Sequence, residues 1–201
     1  LIIGLILGGR FGYIIFYNFK YYLKNPVEIF YIWQGGMSFH GGVIGIILMS
    51  YYFSKKNKIN IFFLLDRISL VAPIGIFFGR LSNFVNSELY GTETGLPWGV
   101  KFIKVDEIIR HPSQIYEAFF EGLILFFILN FFFRVKIKVS GFISGLFITF
   151  YSIFRFIIEF TREPDAQLGF IFYKFSMGQV LSLFAILIGL TIIYLKNEKK
   201  T

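Results

Sequence analysis

Four polar residues interrupt an apolar stretch in the last third of the chain: Tyr151, Arg155, Glu159 and Arg162. Their spacings place them on one face of a helix whose other residues are mainly Phe and Ile. A charged side chain near the middle of a bilayer costs roughly 2.5–3.5 kcal/mol, so such residues usually face an interior cavity. An Arg155–Glu159 pair that only neutralises itself is the alternative, although removing both charges would serve stability better. We call these four residues the polar stripe.

A further arginine, Arg80, ends another apolar segment, and Asn83 and Asn86 follow on a similar face if the helix continues. Taken alone, Arg80 could reach up to the membrane interface, with the asparagines as helix caps. Together with the polar stripe, it favours an anion site, because guanidinium groups bind phosphate bidentately. Phosphate is also the abundant anion at the membrane surface.

His40 lies between two pairs of glycines, in Gly35-Gly-Met-Ser-Phe-His-Gly-Gly42. Imidazole titrates near neutrality and suits general acid–base chemistry, but a structural histidine at a helix start fits the pattern equally well. His111 precedes Pro112, which is typical of a helix start, and we expect it to be structural. The residues that could support the site from this segment are Gln114, Tyr116 and Glu117.

The composition places these residues in a membrane protein. Of 201 residues, 56% are hydrophobic and 16% are charged, whereas soluble domains have about a quarter charged. Two histidines and no cysteine argue against a metal site. We also expect no cofactor. Six apolar segments each approach the ~20 residues that a helix needs to cross a bilayer. They are Leu1–Tyr17, Met37–Phe53, Ile61–Phe78, Ile115–Phe133, Gly141–Phe160 and Met177–Leu195.

Basic clusters predict the orientation of these segments. Lys55-Lys-Asn-Lys58, Arg134-Val-Lys-Ile-Lys138 and Lys196 with Lys199-Lys200 follow every second segment, which places all three clusters and the C-terminus in the cytoplasm. The net charge of +8 is then a topology signal, and we expect no nucleic-acid partner. We predict an all-α integral membrane protein with one membrane domain, 1–201. Its outer face carries a small irregular cap, 81–112, with short strands around Trp98–Phe102.

Five motifs resemble, in order, those of the bacterial phosphatidylglycerol–prolipoprotein diacylglyceryl transferase family. They are Gly9-Arg-Phe-Gly-Tyr13, Gly35-Gly-Met-Ser-Phe-His-Gly-Gly42, Gly79-Arg-Leu-Ser-Asn-Phe-Val-Asn-Ser-Glu88, Arg110-His-Pro-Ser-Gln-Ile-Tyr-Glu117 and Arg155-Phe-Ile-Ile-Glu-Phe-Thr-Arg-Glu-Pro-Asp-Ala-Gln167. The resemblance implies seven spans, so we expect that this chain lacks the family's first helix.

The resemblance also implies a reaction and a place for it. The diacylglyceryl group of phosphatidylglycerol would pass to the lipobox cysteine of a prolipoprotein signal peptide, and glycerol 1-phosphate would leave. The site would face the outer leaflet of the bacterial inner membrane. Arg80 would bind the lipid head group, Arg155 would assist the departing phosphate and His40 would be the base. The other substrate-binding residues would be Asn83, Asn86, Glu88, Tyr151, Glu159 and Arg162, with Glu88 and Glu159 orienting the arginines.

Two other classes of protein compete with the enzyme. A transporter or channel for an organic anion would need polar residues that continue to the cytoplasmic side, or paired interrupted helices in related halves. The chain has neither pattern, since its cytoplasmic ends carry mainly lysines. In a non-catalytic assembly factor, the glycines would serve helix packing.

Overall fold

The computed structural model describes residues 1–135, 139–163, 170–171 and 175–198. Its contacts divide the chain into two compact units, Leu1–Leu64 and Leu65–Thr201, with the boundary inside one helix. The first unit contains α1 (Ile2–Tyr17), α2 (Phe19–Lys24), two short 3-10 helices (Pro26–Phe30 and Ile32–Gln34) and α3 (Phe39–Asn57). Each unit is described by itself below.

Glycines allow α1 and α3 to pack with their backbones in contact. A Cβ atom at Gly12 would lie 2.7 Å from the Cα atom of Gly41, and one at Gly8 would lie 2.8 Å from that of Gly45. A Cβ atom at Gly45 would overlap the carbonyl oxygen of Gly4. Close approach through small residues is the usual way in which membrane helices associate, because lipid supplies no hydrophobic drive between them.

Arg10 ties the segment between α2 and α3 to α1. Its guanidinium group donates to the carbonyl oxygens of Glu28 at 2.6 Å, Ile29 at 2.9 Å and Gly35 at 2.6 Å, and only 4% of the residue is exposed. The ring of Tyr22 lies 5.1 Å from the guanidinium carbon. Arg10 therefore satisfies backbone acceptors that would otherwise lack donors in an apolar setting.

The second unit is built on four long helices. The helix α4 (Ile61–Asn86) contains the unit boundary, and α7 (Phe142–Ile158) and α8 (Met177–Glu198) pack along each other. The remaining long helix is continuous but irregular, with α5 (Ser113–Glu117), a π-helix (Ala118–Ile124) and α6 (Leu125–Arg134). Two small antiparallel pairs join the helices: β1 (Val100–Lys101) with β2 (Ile109–Arg110), and β3 (Phe170–Ile171) with β4 (Phe175–Ser176).

A buried carboxylate fixes the start of α7. Asp66 of α4 accepts hydrogen bonds from the backbone N–H groups of Gly141 at 2.7 Å and Ser144 at 2.8 Å, and from the Ser144 hydroxyl at 2.8 Å. These N–H groups lie at the start of α7, where backbone N–H groups have no acceptor within their own helix. Asp66 thus caps α7 from another helix, beside an apolar core that includes Leu70, Leu129 and Ile143.

The predicted apolar segments are all largely helical. By length and composition, four helices could cross a membrane: Ile61–Asn86, Ser113–Arg134, Phe142–Thr161 and Met177–Lys196. The apolar helix Ile2–Tyr17 is shorter, and α3 has 19 residues. A helical membrane protein is thus confirmed, while the count of six crossings stays a prediction. The strands expected around Trp98–Phe102 are present as β1.

The close packing of α1 against α3 can be tested by a substitution that adds one methyl group. Gly45→Ala should lower the free energy of unfolding by about 1–3 kcal/mol, because the added Cβ forces two closely packed helices apart. Thermal unfolding in detergent, followed by circular dichroism, measures the change. Gly75→Ala is the matched control, since a Cβ there meets nothing within 4 Å. Equal unfolding temperatures for the two variants would contradict the close contact of α1 and α3 at Gly45.

Candidate functional site: an arginine–carboxylate cluster

Three arginines and two glutamates from three helical segments meet in the second unit. The helix α4 supplies Arg80, and the α5–π segment supplies Glu117 and Glu121. Arg155 lies in α7, and Arg162 follows beyond its end. We call these five residues the arginine cluster. Arg155 and Arg162 of the polar stripe both contact Glu117, but the α-helix ends at Ile158, a 3-10 turn (Glu159–Thr161) follows, and Arg162 has extended geometry. The stripe is therefore not one continuous helical face.

Glu117 is the common partner of all three arginines. Its Oε2 atom lies 3.1 Å from Nε of Arg80, and its Oε1 atom accepts hydrogen bonds from Nη1 of Arg155 and, at 3.3 Å, from Nη1 of Arg162. The side chain has no exposed surface. Removing one member of a buried ion pair typically costs about 3–5 kcal/mol, so Glu117 holds the three guanidinium groups together.

Glu121 is bound much more weakly. Its Oε2 atom lies 3.6 Å from Nη2 of Arg80, and its Oε1 atom lies 4.0 Å from Nη1 of Arg155. Within the described residues neither oxygen has a hydrogen-bond partner, although the side chain is fully buried. An unsatisfied buried carboxylate is uncommon and requires an explanation.

The cluster is arranged asymmetrically. The side chains of Arg80, Arg155 and Arg162 are 17%, 14% and 10% exposed, whereas those of Glu117 and Glu121 are 0% exposed. The arginine side chains thus keep some accessible surface, whereas the two carboxylates have none. An anion that reaches the cluster meets arginine first, and guanidinium groups form strong charge-assisted bonds with phosphate oxygens.

A close helix contact at Gly122 positions the two glutamates. A Cβ atom at Gly122 would lie 2.9 Å from the Cα atom of Phe77, so the π-helix touches the backbone of α4 one turn before Arg80. The π-helix closes i→i+5 hydrogen bonds, which widens the helix locally and changes the direction of the following side chains. This irregular turn, between Glu117 and α6, brings Glu121 against Arg80.

Glu159 supports Arg155 from the other side. Its Oε2 atom pairs with Nη2 of Arg155, and its Oε1 atom accepts a hydrogen bond from the Ser176 hydroxyl at 2.8 Å. A Cβ atom at Gly178 would lie 2.5 Å from that same Oε1, so the start of α8 leaves room for the carboxylate. Glu159 therefore binds Ser176 as well as Arg155, and Arg155 is shared between Glu159 and Glu117.

The end of α4 has unusual backbone geometry. The helix continues to Asn86, as the placement of Asn83 and Asn86 required, and Ser87 and Leu89 then have φ of 62° and 55°. Such left-handed geometry is rare outside glycine and is often found at functional sites. Glu88, between them, accepts a hydrogen bond from Nδ2 of Asn83 at 3.0 Å. Within the described residues it forms no ion pair with an arginine.

The segment 91–112 is attached to the end of the polar stripe through backbone bonds. Gly91 donates to the carbonyl oxygen of His111 at 3.0 Å, Thr92 donates to that of Thr161 at 3.0 Å, and Gly91 and Arg162 form an antiparallel bridge. Arg110 lies beside Asp106, with Nη2 2.7 Å from Oδ2. Hydrogen bonding to this guanidinium group lowers the pKa of Asp106 and raises that of Arg110.

The other predicted residues have separate settings. His40 is exposed in the first unit, at the second position of α3, with the Phe39 ring 5.7 Å away. His111 lies with Nδ1 3.3 Å from the hydroxyl of Tyr116, and its structural role stays a prediction. Tyr151 stacks on Phe147 at 5.8 Å and is close enough to interact with the charges of the arginine cluster.

Sequence reasoning missed the two carboxylates at the centre of the site. Glu117 was expected only as a supporting residue, and Glu121 and Asp66 were not singled out. A signal was available, since Glu117 and Glu121 are four residues apart inside an apolar segment. That spacing is the same as the one that identified Arg155 and Glu159.

Comparison with known proteins finds one family model and several similar sequences. A family model described as prolipoprotein diacylglyceryl transferase matches residues 1–195. A phosphatidylglycerol–prolipoprotein diacylglyceryl transferase of Rickettsia bellii (strain OSU 85-389) is 55% identical over 199 residues, 98% of this chain and 75% of that protein. The proteins of the same name from Geobacter sulfurreducens and Rickettsia typhi are 50% and 52% identical over 200 residues. These matches cover 100% and 98% of this chain, and 76% and 77% of the two relatives.

The attachment of Gly91 to the polar stripe predicts a local effect of one methyl group. A Cβ atom at Gly91 would lie 2.5 Å from the carbonyl oxygens of both His111 and Thr161. Gly91→Ala should therefore separate these strands and speed hydrogen–deuterium exchange at Thr92 and His111. Gly95→Ala is the control, because a Cβ at Gly95 meets nothing within 4 Å. Unchanged protection in Gly91→Ala would show that the contact does not hold the segment.

Proposed function

This chain belongs to the prolipoprotein diacylglyceryl transferase family, and we propose that it transfers the sn-1,2-diacylglyceryl group of phosphatidylglycerol to the lipobox cysteine of prolipoproteins. This is the first step of lipoprotein maturation. The substrates are then a membrane lipid and an exported precursor protein. No cofactor and no nucleic acid take part in the proposed reaction.

The proposed chemistry is a displacement at carbon. The cysteine sulfur attacks the glycerol CH₂ group of the diacylglyceryl part, and a C–S bond forms. The bond between that carbon and the phosphate oxygen breaks, and its electron pair stays on the oxygen. Glycerol 1-phosphate leaves as a phosphate monoester, and the thiol proton goes to a base. The reaction thus needs cations at the phosphate, where negative charge increases, and a proton acceptor at the thiol.

One observation supports this proposal above the others. Three arginines present their accessible side in a cluster whose buried side is carboxylate, within helices that could cross a membrane. Such a preorganised set of donors binds the phosphate of a lipid and stabilises the charge that develops as the C–O bond breaks. In this proposal Arg80 holds the head group and Arg155 receives the departing phosphate, with Arg162 as a further phosphate ligand.

Neighbouring polar residues complete the proposed lipid site. The end of α4 places Asn83 and Asn86 beyond Arg80, and the hydrogen bond from Asn83 orients Glu88. Asn86 and Glu88 are exposed, so they can reach the glycerol hydroxyls of the head group. Glu159 holds Arg155, and Tyr151 lines the same side of α7 one turn earlier.

His40 is the proposed general base. A free thiol has a pKa of about 8.5, so only a small fraction is thiolate at neutral pH, and a nearby imidazole would accelerate the attack. Exposure of His40 at the start of α3 allows it to meet a substrate. The two glycines that follow it, Gly41 and Gly42, are buried in the packing of α3.

We further propose six membrane crossings in one membrane domain, 1–201, with the 81–112 segment as a cap on the outer face. Lys55 and Lys56 lie in the last turn of α3, Arg134 ends α6, and Lys196 lies in the last turn of α8. By the positive-inside rule these ends are cytoplasmic, as is the C-terminus. The arginine cluster then faces the outer leaflet of the bacterial inner membrane.

Removing the proposed phosphate ligands should stop lipidation. Membranes that contain the protein should convert labelled phosphatidylglycerol and a lipobox peptide to lipidated peptide. In Arg80→Ala or Arg155→Ala the rate of lipidation should fall by about a hundredfold or more. The negative charge that develops on the departing phosphate would then lack one guanidinium hydrogen-bond donor. Gel mobility and mass spectrometry of the peptide measure the product.

A second pair of variants separates catalysis from folding. Arg80→Lys and Arg155→Lys keep the buried carboxylates paired but lose the bidentate geometry, so the protein should stay folded and remain slow. Arg134→Ala, at the exposed end of α6, is the control for loss of an arginine and should keep its activity. Full activity in both alanine variants would remove the assignments of Arg80 and Arg155.

The base can be tested independently of the arginines. His40→Asn should lower the rate by about 10²–10⁴-fold, which is the usual contribution of general base catalysis. Unchanged turnover in His40→Asn would reject His40 as the base and leave the arginine assignments intact.

A further inference from the structure

The arginine cluster and Glu159 form a set of balanced charges. Among the described residues, three guanidinium groups, on Arg80, Arg155 and Arg162, face three carboxylates, on Glu117, Glu121 and Glu159. When all six are ionised, the set is neutral. Neutrality matters here, since a net charge within apolar helices is costly and has little solvent to screen it.

The arrival of a phosphodiester disturbs this balance. Its single negative charge would make the set net negative while the lipid covers the accessible side of the arginines. Repulsion between the phosphate and the carboxylates would then destabilise the complex, because interactions between charges strengthen as water is excluded. Uptake of one proton by a carboxylate removes this cost. Carboxylates that share a site commonly behave in this way, since like charges close together cannot all remain ionised.

The contacts indicate which carboxylate takes the proton. Glu117 is held by all three arginines, and Glu159 is held by Arg155 and by the hydroxyl of Ser176. Glu121 has only the two long ion pairs, at 3.6 and 4.0 Å, and both its oxygens lack a hydrogen-bond donor within the described residues. Its ionised form is therefore the least stabilised of the three.

We propose that binding of the phosphatidylglycerol phosphate is coupled to the uptake of one proton by Glu121. This inference rests on the proposed function, since it takes the lipid phosphate as the ligand of the arginine cluster. The proton comes from the aqueous phase and returns to it when the charged product leaves. Glu121 acts as a charge-balancing residue that never touches the reacting atoms, and it allows the same arginines to bind both carboxylates and phosphate.

Charged and titratable groups face Glu121 from each neighbouring element. Arg80 approaches from α4, and Glu117 precedes it by four residues on its own helix. The helix α7 contributes Arg155 and Tyr151, and Arg162 acts from just beyond the end of α7. Glu117 and the incoming phosphate are the negative groups that favour the protonated form, and the arginines oppose it. The proton therefore enters with the phosphate.

Calorimetry can count this proton directly. Dioctanoyl phosphatidylglycerol is titrated into the protein in detergent micelles at neutral pH, without peptide, in buffers of different ionisation enthalpy. The slope of the observed binding enthalpy against the buffer ionisation enthalpy equals the number of protons taken up. We expect about one proton per lipid for the wild-type protein and about zero for Glu121→Gln, with lipid still bound by the variant.

The control and the outcomes keep the two proposals distinct. Asp106→Asn is the control, because it replaces a carboxylate outside the cluster by an amide of the same shape. This variant should take up about one proton per lipid, as the wild-type protein does. Lipid binding without proton uptake by the wild-type protein overturns the inference, whatever the stability of the variant. Equal uptake in Glu121→Gln and the wild-type protein also overturns it. Failure of the wild-type protein to bind phosphatidylglycerol would reject the proposed function and the inference together.

Discussion

Two carboxylates without exposed surface, Glu117 and Glu121, lie beneath three arginines in helices that could cross a membrane. Burying a carboxylate alone would cost several kcal/mol, so the arginines stabilise the buried carboxylates beneath them. Mutual neutralisation keeps guanidinium groups charged, close together and partly accessible, which is the state that an anion site needs.

The backbone departs from regular geometry where it positions these charges. The π-helix Ala118–Ile124 lies against α4 through Gly122, and α7 ends in a 3-10 turn just before Arg162. Ser87 and Leu89 adopt left-handed geometry at the end of α4. Irregular turns have fewer ideal hydrogen bonds, and here they lie within or next to the segments that carry the cluster.

Arginine has a different use in the first unit. Arg10 donates to backbone carbonyl oxygens and stacks near Tyr22, with no carboxylate among its hydrogen-bond acceptors in the described residues. Such an arginine fixes a loop and has its donors occupied. The guanidinium groups of the arginine cluster instead have carboxylate partners on one side and an accessible side on the other. Residue type and apolar surroundings are shared, so only the partners distinguish a structural arginine from a ligand-binding one.

The sequence by itself determined the helices, the short strands near Trp98, and the alignment of Arg155 with Glu159, because each depends on residues close together in the chain. Family membership also followed from short motifs in order. Only the tertiary structure decided that Glu117, 38 residues from Arg155, joins three arginines, and that Glu121 remains without a hydrogen bond among the described residues. Periodicity defines the face of one helix. Which face of another helix meets it depends on packing at Gly122 and on the π-helix, and on many contacts between residues distant in sequence.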